Sequence, residues 1–172
     1  MTPMGETEAR DRGQVAVIAA MLLLLLVFIA AGLVDVYRLQ DTRAWAYRAA
    51  EAAALSGAAQ GRDFSTVYTV GQPRLDPGAG YAGTEQTLRA EIARRGVVDV
   101  NYQIQLSEWG GEEFAGFPPV ARADLWGNDS WAVKEPAVGV YVEVAVPTFL
   151  LGLLSTGPVT VHAFAAAGVG VR

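Results

Sequence analysis

Several residue types are absent or scarce in this sequence, and each absence removes a class of function. There is no cysteine, so disulfides, thiolate metal sites and cysteine nucleophiles are excluded. His162 is the single histidine, so a histidine-rich metal site is excluded, and no serine or cysteine motif accompanies it for nucleophilic catalysis. Lys134 is the single lysine and the formal net charge is -5, which argues against nucleic-acid binding.

The acidic residues form no strong catalytic or metal-binding pattern. Glu112 and Glu113 are adjacent in a glycine-rich stretch, where carboxylates are usually solvated. Asp124, Asn128 and Asp129 are spaced loosely like a calcium loop, but the EF-hand register is absent and a turn accounts for them. We therefore expect no enzymatic activity, no cofactor, no bound metal and no small-molecule substrate.

The sequence does contain one long apolar run. From Val15 to Val34 no residue is charged or strongly polar. At a rise of about 1.5 Å per residue, a helix over this run is about 30 Å long, which matches the hydrocarbon core of a bilayer. A buried core helix usually keeps a polar side. The run therefore predicts a membrane helix over residues 15–34, preceded by a short tail over residues 1–13.

A cleaved signal peptide is the main alternative for this run. Its apolar region is normally shorter and its leading segment is basic, whereas Glu6, Glu8 and Asp11 dilute the arginines here. The small residues at 30–32 are the cleavage site that this alternative would use. Arginines stand on both sides of the apolar run, so the positive-inside count leaves its orientation open.

The segment after the apolar run continues as a predicted helix. Residues 35–59 contain no proline and are rich in good helix formers, which predicts one continuous helix over residues 14–60. An alanine-rich stretch near its end gives a thin face that another helix or a sheet can approach closely. We call it the alanine face, and its residues are Ala49, Ala50, Ala53 and Ala54.

Residues 61–172 predict an α+β domain outside the membrane. Alternating apolar and polar residues predict strands over residues 98–106, 137–147 and 159–169, and short connections favour antiparallel pairing. Residues 66–70 suggest a short edge strand, residues 71–83 a loop, and residues 84–96 a short helix. Between the strands, residues 108–136 are irregular. We favour a small satellite core for the tryptophans there over partner contact; they are Trp109, Trp126 and Trp131.

Three segments of this chain resemble one known family. They are "RGQVAV" at residues 12–17, "AGLVDVYRL" at 31–39 and "RAAEAAALSGAA" at 48–59. Together they are similar to the N-terminal region of TadE/TadG-like proteins of the tight-adherence (Flp, type IV-class) pilus system. In that family an acidic residue, here Asp35, follows the membrane helix, and an alanine-rich acidic segment, here around Glu51, ends the long helix. Residues 137–168 resemble the family more weakly.

The resemblance implies a pilin-like fold and a structural function. The expected protein is a pseudopilin-like accessory component of a pilus assembly or secretion machine, held by one helix in the bacterial cytoplasmic membrane, with its C-terminal domain outside the cytoplasm. Its expected partners are membrane lipid and other pilus assembly proteins or pilin subunits. A membrane-tethered binding or sensing domain with no pilus role is the alternative.

The resemblance also raises the question of processing by a prepilin peptidase. Pseudopilins cut by this peptidase typically carry Gly at the cut and Glu five residues beyond it. Gly13 and Gln14 are the candidate cleavage pair, but the fifth residue is then Ile18. This departure favours an uncleaved, membrane-anchored TadG-like protein over a filament subunit.

Overall fold

The computed structural model describes residues 4–119, 130–154 and 158–170. The chain divides into two compact units. The first comprises Met1–Leu39 with Pro147–Val159, and the second comprises Gln40–Val146 with Thr160–Arg172. The predicted α+β class, a long N-terminal helix followed by a small antiparallel sheet, is confirmed.

Helix α1 runs from Met4 to Gln60 and contributes residues to both units. Its sequence contains no proline and is dominated by alanine, leucine and other strong helix formers, so nothing within it interrupts the hydrogen-bond ladder. Its portion from Gln14 to Gln60 is long and apolar enough to cross a membrane, judged by length and composition. The first unit also contains the short helix α4, Leu150–Leu154.

The second unit holds the sheets and two further helices. A three-stranded sheet has the order β3-β6-β7, and β3 pairs antiparallel with β6, with Val100 opposite Val144 and Ser107 opposite Ala137. Two small antiparallel ribbons pair β1 with β2 and β4 with β5. The element bounds are β1 Arg62–Asp63, α2 Ser65–Val70, β2 Arg74–Leu75, α3 Pro77–Arg95, β3 Val100–Ser107, β4 Glu113–Ala115, β5 Ser130–Ala132, β6 Ala137–Val146 and β7 Val159–Gly168.

Strand β6 lies at the centre of the sheet and is buried on both faces over most of its length. One face carries a row of buried valines, Val138, Val140, Val142 and Val144, which belong to the main core with Leu88 of α3. The opposite face carries Ala137 and Tyr141, which belong to a second, aromatic cluster. The alternation of the valines predicted this strand, because side chains two residues apart lie on one face of a sheet.

The expected edge strand at residues 66–70 is wrong, because helix α2 occupies Ser65–Val70. The turn before it favours the helix: Asp63 Oδ1 accepts hydrogen bonds from the Ser65 backbone N–H and hydroxyl at 2.8 and 2.7 Å. The helix ends at Gly71, whose φ of 78° lies in the left-handed region that glycine adopts without strain. Local side-chain hydrogen bonding therefore overrides the β propensity of "TVYTV".

The expected loop over residues 71–83 is also wrong in its second half. Helix α3 begins at Pro77, and so the glycine-rich "PGAGYAG" forms its first two turns. Asp76 is the N-cap and accepts a hydrogen bond from the Ala79 N–H at 2.8 Å, while proline stands at the first helical position, where its missing N–H costs nothing. Tertiary contacts of the glycines, described below, outweigh their low helix propensity.

Candidate functional site

The apolar run of α1 is exposed on all sides in the first unit. Every side chain from residue 14 to residue 30 is exposed, and Met21, Leu23 and Leu26 keep 69%, 67% and 68% of their surface. Contiguous apolar surface of this kind is strongly unfavourable in water and marks a membrane or protein contact. A helix suits a bilayer because its backbone hydrogen bonds are satisfied within the segment.

Asp35 lies directly after this run and holds the start of α4. It is fully buried. Its Oδ1 accepts a hydrogen bond from the Phe149 N–H at 2.8 Å, and its Oδ2 accepts from the N–H groups of Leu150 and Leu151 at 2.7 and 3.0 Å. The first N–H groups of a helix have no partner within the helix. A carboxylate supplies charge-assisted bonds to them and fits the positive end of the helix dipole.

The residues three positions before and after Asp35 also contact this segment. A Cβ at Gly32 would lie 3.4 Å from Leu150 Cδ2, so the absence of a side chain lets the leucine lie close to the α1 backbone. The Arg38 Cζ lies 4.7 Å from the centroid of the Phe149 ring, a cation–π distance. A spacing of three places Gly32, Asp35 and Arg38 on one face of α1, which is the face that α4 covers.

The pairing of Asp35 with α4 was not predicted from the sequence. Asp35 belongs to the family resemblance, but 114 residues separate it from Phe149. No local periodicity connects positions so far apart. The available signal was chemical: a lone carboxylate at the end of an apolar run requires hydrogen-bond donors.

The alanine face of α1 is buried within the second unit. Ala49 is 1% exposed, and Ala50, Ala53 and Ala54 are 0% exposed. They belong to the main core together with the β6 valines and Leu88. Their small side chains let the helix backbone lie close to the sheet. In this structure the face is therefore covered by the chain's own core.

One turn after the alanine face, α1 and α3 make their closest described approach. A Cβ added at Gly57 would lie 1.8 Å from Thr84 Oγ1 and 2.7 Å from the Gly80 carbonyl oxygen. Thr84 is fully buried, and its hydroxyl donates a hydrogen bond to that carbonyl at 2.7 Å. Glycines in both helices thus permit the two backbones to approach closely. The sequence does not predict this contact, because the glycine content around Gly80 and Gly83 indicates a loop.

The candidate processing pair lies inside α1. Gly13 and Gln14 are both helical, and the Gln14 side chain is exposed. The prediction that the chain stays uncleaved between them is not tested by the structure.

Among the described residues, the polar side chains considered for catalysis or metal binding contact other side chains of the fold. His162 Nδ1 lies 2.7 Å from the Tyr141 hydroxyl oxygen, and its Nε2 lies 3.2 Å from Thr160 Oγ1. Burial raises the pKa of Tyr141 to about 12, and the charge of Glu143 adds to this effect. Within residues 4–119, 130–154 and 158–170, no group of three acidic, histidine or cysteine side chains could hold a metal ion.

The remaining candidates are the Glu112–Glu113 pair and the residues spaced like a calcium loop. Glu113 accepts a hydrogen bond from the Ser130 hydroxyl across the β4–β5 ribbon. Asp124, Asn128 and Asp129 lie outside the described residues, as does Trp126.

Two of the three tryptophans can be compared with the expected satellite core. Trp131 is buried in the aromatic cluster, with its ring centroid 5.3 Å from that of Phe114. Trp109 is 39% exposed and packs beneath Arg74, whose Cζ lies 5.6 Å from the ring centroid. The satellite core therefore contains Trp131, whereas Trp109 lies at the surface.

A polar cleft of about 460 Å³ lies between α1 and α3 in the second unit. Its arginines already have partners: Arg94 pairs with Glu91 at 2.5 Å, Arg95 pairs with Asp41, and Arg48 Nε donates to the Ala44 carbonyl at 3.1 Å. The ion pairs of Arg94 and Arg95 thus offset two of the three arginine charges in the cleft.

Comparison with known proteins finds a family match that covers most of α1, including the apolar run and the alanine face. Residues 13–60 match the family model described as "Tad: Putative Flp pilus-assembly TadE/G-like". The resemblance drawn from the sequence is confirmed over this segment. No curated protein and no solved structure matches the chain.

Proposed function

Because residues 13–60 match the TadE/G-like Flp pilus-assembly family, we propose that this protein is a membrane-anchored structural component of a tight-adherence pilus assembly or secretion machine. The observation that carries the proposal is that the matched segment contains the exposed apolar run of α1, which lies directly before Asp35. An exposed apolar helix of this length suits a bilayer, and the family match supplies the biological setting.

The proposed arrangement is a single pass through the bacterial cytoplasmic membrane over residues 15–34. The second unit then lies outside the cytoplasm, where it contacts pilin subunits or other assembly proteins. Its role is structural and not enzymatic, because the polar side chains described above pair with one another and form no catalytic group.

The missing Glu favours a fixed accessory protein over a filament subunit. In a filament, a Glu five residues beyond the cut would place its charge near a neighbour's N-terminal amine within the membrane. Ile18 cannot do this, and an unpaired amine in hydrocarbon is costly. We therefore propose that the chain remains uncleaved at Gly13 and stays in the membrane.

The test begins with the protein in its native membranes. Membranes are washed with sodium carbonate, and the retained protein is characterised by intact mass and N-terminal sequencing. Retention with residues 1–13 present supports a permanent anchor, whereas a chain beginning at Gln14 indicates processing despite Ile18. Release by carbonate would contradict the anchor. The Ile18→Glu variant is the matched comparison, because it restores the residue that the peptidase family usually meets.

The pilus role is tested separately by deleting the gene and counting surface pili, with the wild-type gene on a plasmid as control. Loss of pili that the plasmid restores supports the proposal. Normal pili in the deletion strain would contradict it and favour a membrane-tethered binding or sensing protein.

A further inference from the structure

The exposed apolar surface of the first unit continues past the end of the membrane run onto α4. Phe149 is 60% exposed, and Leu150 and Leu151 are partly exposed. On the neighbouring part of α1, Leu33 is 66% and Val36 is 47% exposed. The α4 segment therefore adds apolar area beside the last turns of the predicted membrane span.

The position of α4 along α1 corresponds to the boundary of a bilayer. Its contacts with α1 fall between Gly32 and Arg38, and so they flank Val34, the last residue of the apolar run. At about 1.5 Å per residue these contacts cover about 9 Å of helix. Interfacial elements bury their apolar face to a depth of about 5–10 Å at the boundary between headgroups and acyl chains.

Asp35 also removes the usual obstacle to placing a short helix start in lipid. Unpaired backbone N–H groups are costly where no water can bind them. Here the N–H groups of Phe149, Leu150 and Leu151 all donate to Asp35, so the start of α4 needs no water.

Arg38 provides the charged group that fits this boundary. Its guanidinium lies over the Phe149 ring, so a Phe149 at the interface would hold this charge beside the headgroups. Arginine pairs with phosphate groups in bidentate geometry, which suits the headgroup layer.

We infer that α4 and the preceding Phe149 insert into the membrane interface as a second lipid contact beside the spanning helix. The occupant of this apolar surface is the bilayer itself, on the continuity of the surface with the span. The inference rests on the proposed membrane anchoring. It adds that residues near the C-terminal end of the sequence, and not only the N-terminal helix, touch lipid.

The absence of cysteine permits a direct test by spin labelling of the full chain. Single cysteines are introduced as F149C, V27C and Y68C, labelled, and reconstituted in nanodiscs of phosphatidylethanolamine and phosphatidylglycerol. Collision with oxygen, which concentrates in lipid, is compared with collision with a water-soluble nickel chelate. Val27 serves as the reference within the span, and Tyr68, 93% exposed in the second unit, as the aqueous reference.

The expected result is that labels at 149 and 27 favour oxygen, with 149 the shallower, while the label at 68 favours nickel. A label at 149 that behaves like 68, with 27 in lipid, would overturn the inference and leave the anchor intact. A label at 27 that favours nickel would overturn both. Circular dichroism verifies folding of each variant, and L151C replaces F149C if the latter does not fold.

Discussion

Replacing Gly57 with alanine should destabilise the second unit, although alanine is the better helix former. Gly57 lies within α1 and is buried where α1 meets α3. The added Cβ would lie 1.8 Å from Thr84 Oγ1 and 2.7 Å from the Gly80 carbonyl oxygen. The threonine can rotate, at the expense of its hydrogen bond to that carbonyl, but a backbone oxygen moves only if α3 moves.

Two opposing effects set the size of the change. Alanine gains about 1 kcal/mol of helix propensity over glycine. Overpacking a tight core typically costs about 1–3 kcal/mol, and occasionally more. A clash with backbone belongs at the upper end, and a lost buried hydrogen bond adds about 1 kcal/mol. The net loss in the free energy of unfolding should therefore be about 3 kcal/mol, which for a chain of 172 residues lowers the melting temperature by about 6–12 °C.

The assay is thermal unfolding of the full chain in detergent micelles, followed by far-ultraviolet circular dichroism. Gly78→Ala is the matched control, because Gly78 is an exposed glycine in the first turn of α3 and its added Cβ would meet only the Asp76 side chain at 3.3 Å. That variant should be as stable as the wild type or slightly more so. If Gly57→Ala equals or exceeds the wild type, α1 and α3 do not approach as closely as described, and the reasoning fails.

Three further predictions concern the other contacts. Ala53→Leu should lower the free energy of unfolding by about 1–3 kcal/mol through overpacking. The same change at the exposed neighbour Ala52 should alter it by less than about 0.5 kcal/mol. Equal denaturation midpoints for the two variants would contradict the burial of Ala53. Asp35→Asn removes the charge and replaces one of the two acceptor oxygens with an NH2 donor, so the three N–H groups cannot all keep their bonds, and the amides of residues 149–151 should exchange hydrogen for deuterium faster by mass spectrometry. Unchanged exchange would refute the capping role, and Asp41→Asn is the control. The pKa of Tyr141 is raised from 10.0 to about 12 in the folded protein. Above pH 10 the phenol therefore loses its proton in the unfolded chain before it does so in the folded protein. The contribution of Tyr141 to stability is complete below pH 10 and declines as the pH rises towards 12. Tyr141→Phe should therefore lose less stability over this range in chemical denaturation, and an identical decline would argue against a buried phenol.

Local periodicity predicted the elements that are regular along the sequence. The apolar run and its proline-free continuation predicted α1, and alternating valines predicted β6, because each pattern repeats at the period of its secondary structure. The two errors in helix assignment, α2 and the start of α3, fall where an aspartate side chain bonds to the nearby backbone, Asp63 in the turn before α2 and Asp76 as the N-cap of α3. Propensity alone does not detect such hydrogen bonds.

The contacts that position the candidate site were harder to predict because they are distant in sequence. Glycines near position 80 indicate a loop when read locally, and only the approach of Gly57 explains them in a helix. The partners of Asp35 stand 114 to 116 residues away. A single sequence contains no signal for such pairings beyond the chemistry of an isolated carboxylate.

The hydrogen bonds of Asp35 also constrain the order of events during synthesis of the protein. The carboxylate is synthesised 114 residues before its first partner. At translation rates of about 5–20 residues per second, roughly 6–23 seconds pass before those donors exist. In the proposed membrane arrangement, Asp35 lacks these donors throughout that interval, and its unpaired charge opposes entry of this part of the nascent helix into hydrocarbon. The contact between α1 and α4 can therefore form only after the α4 segment itself has been synthesised.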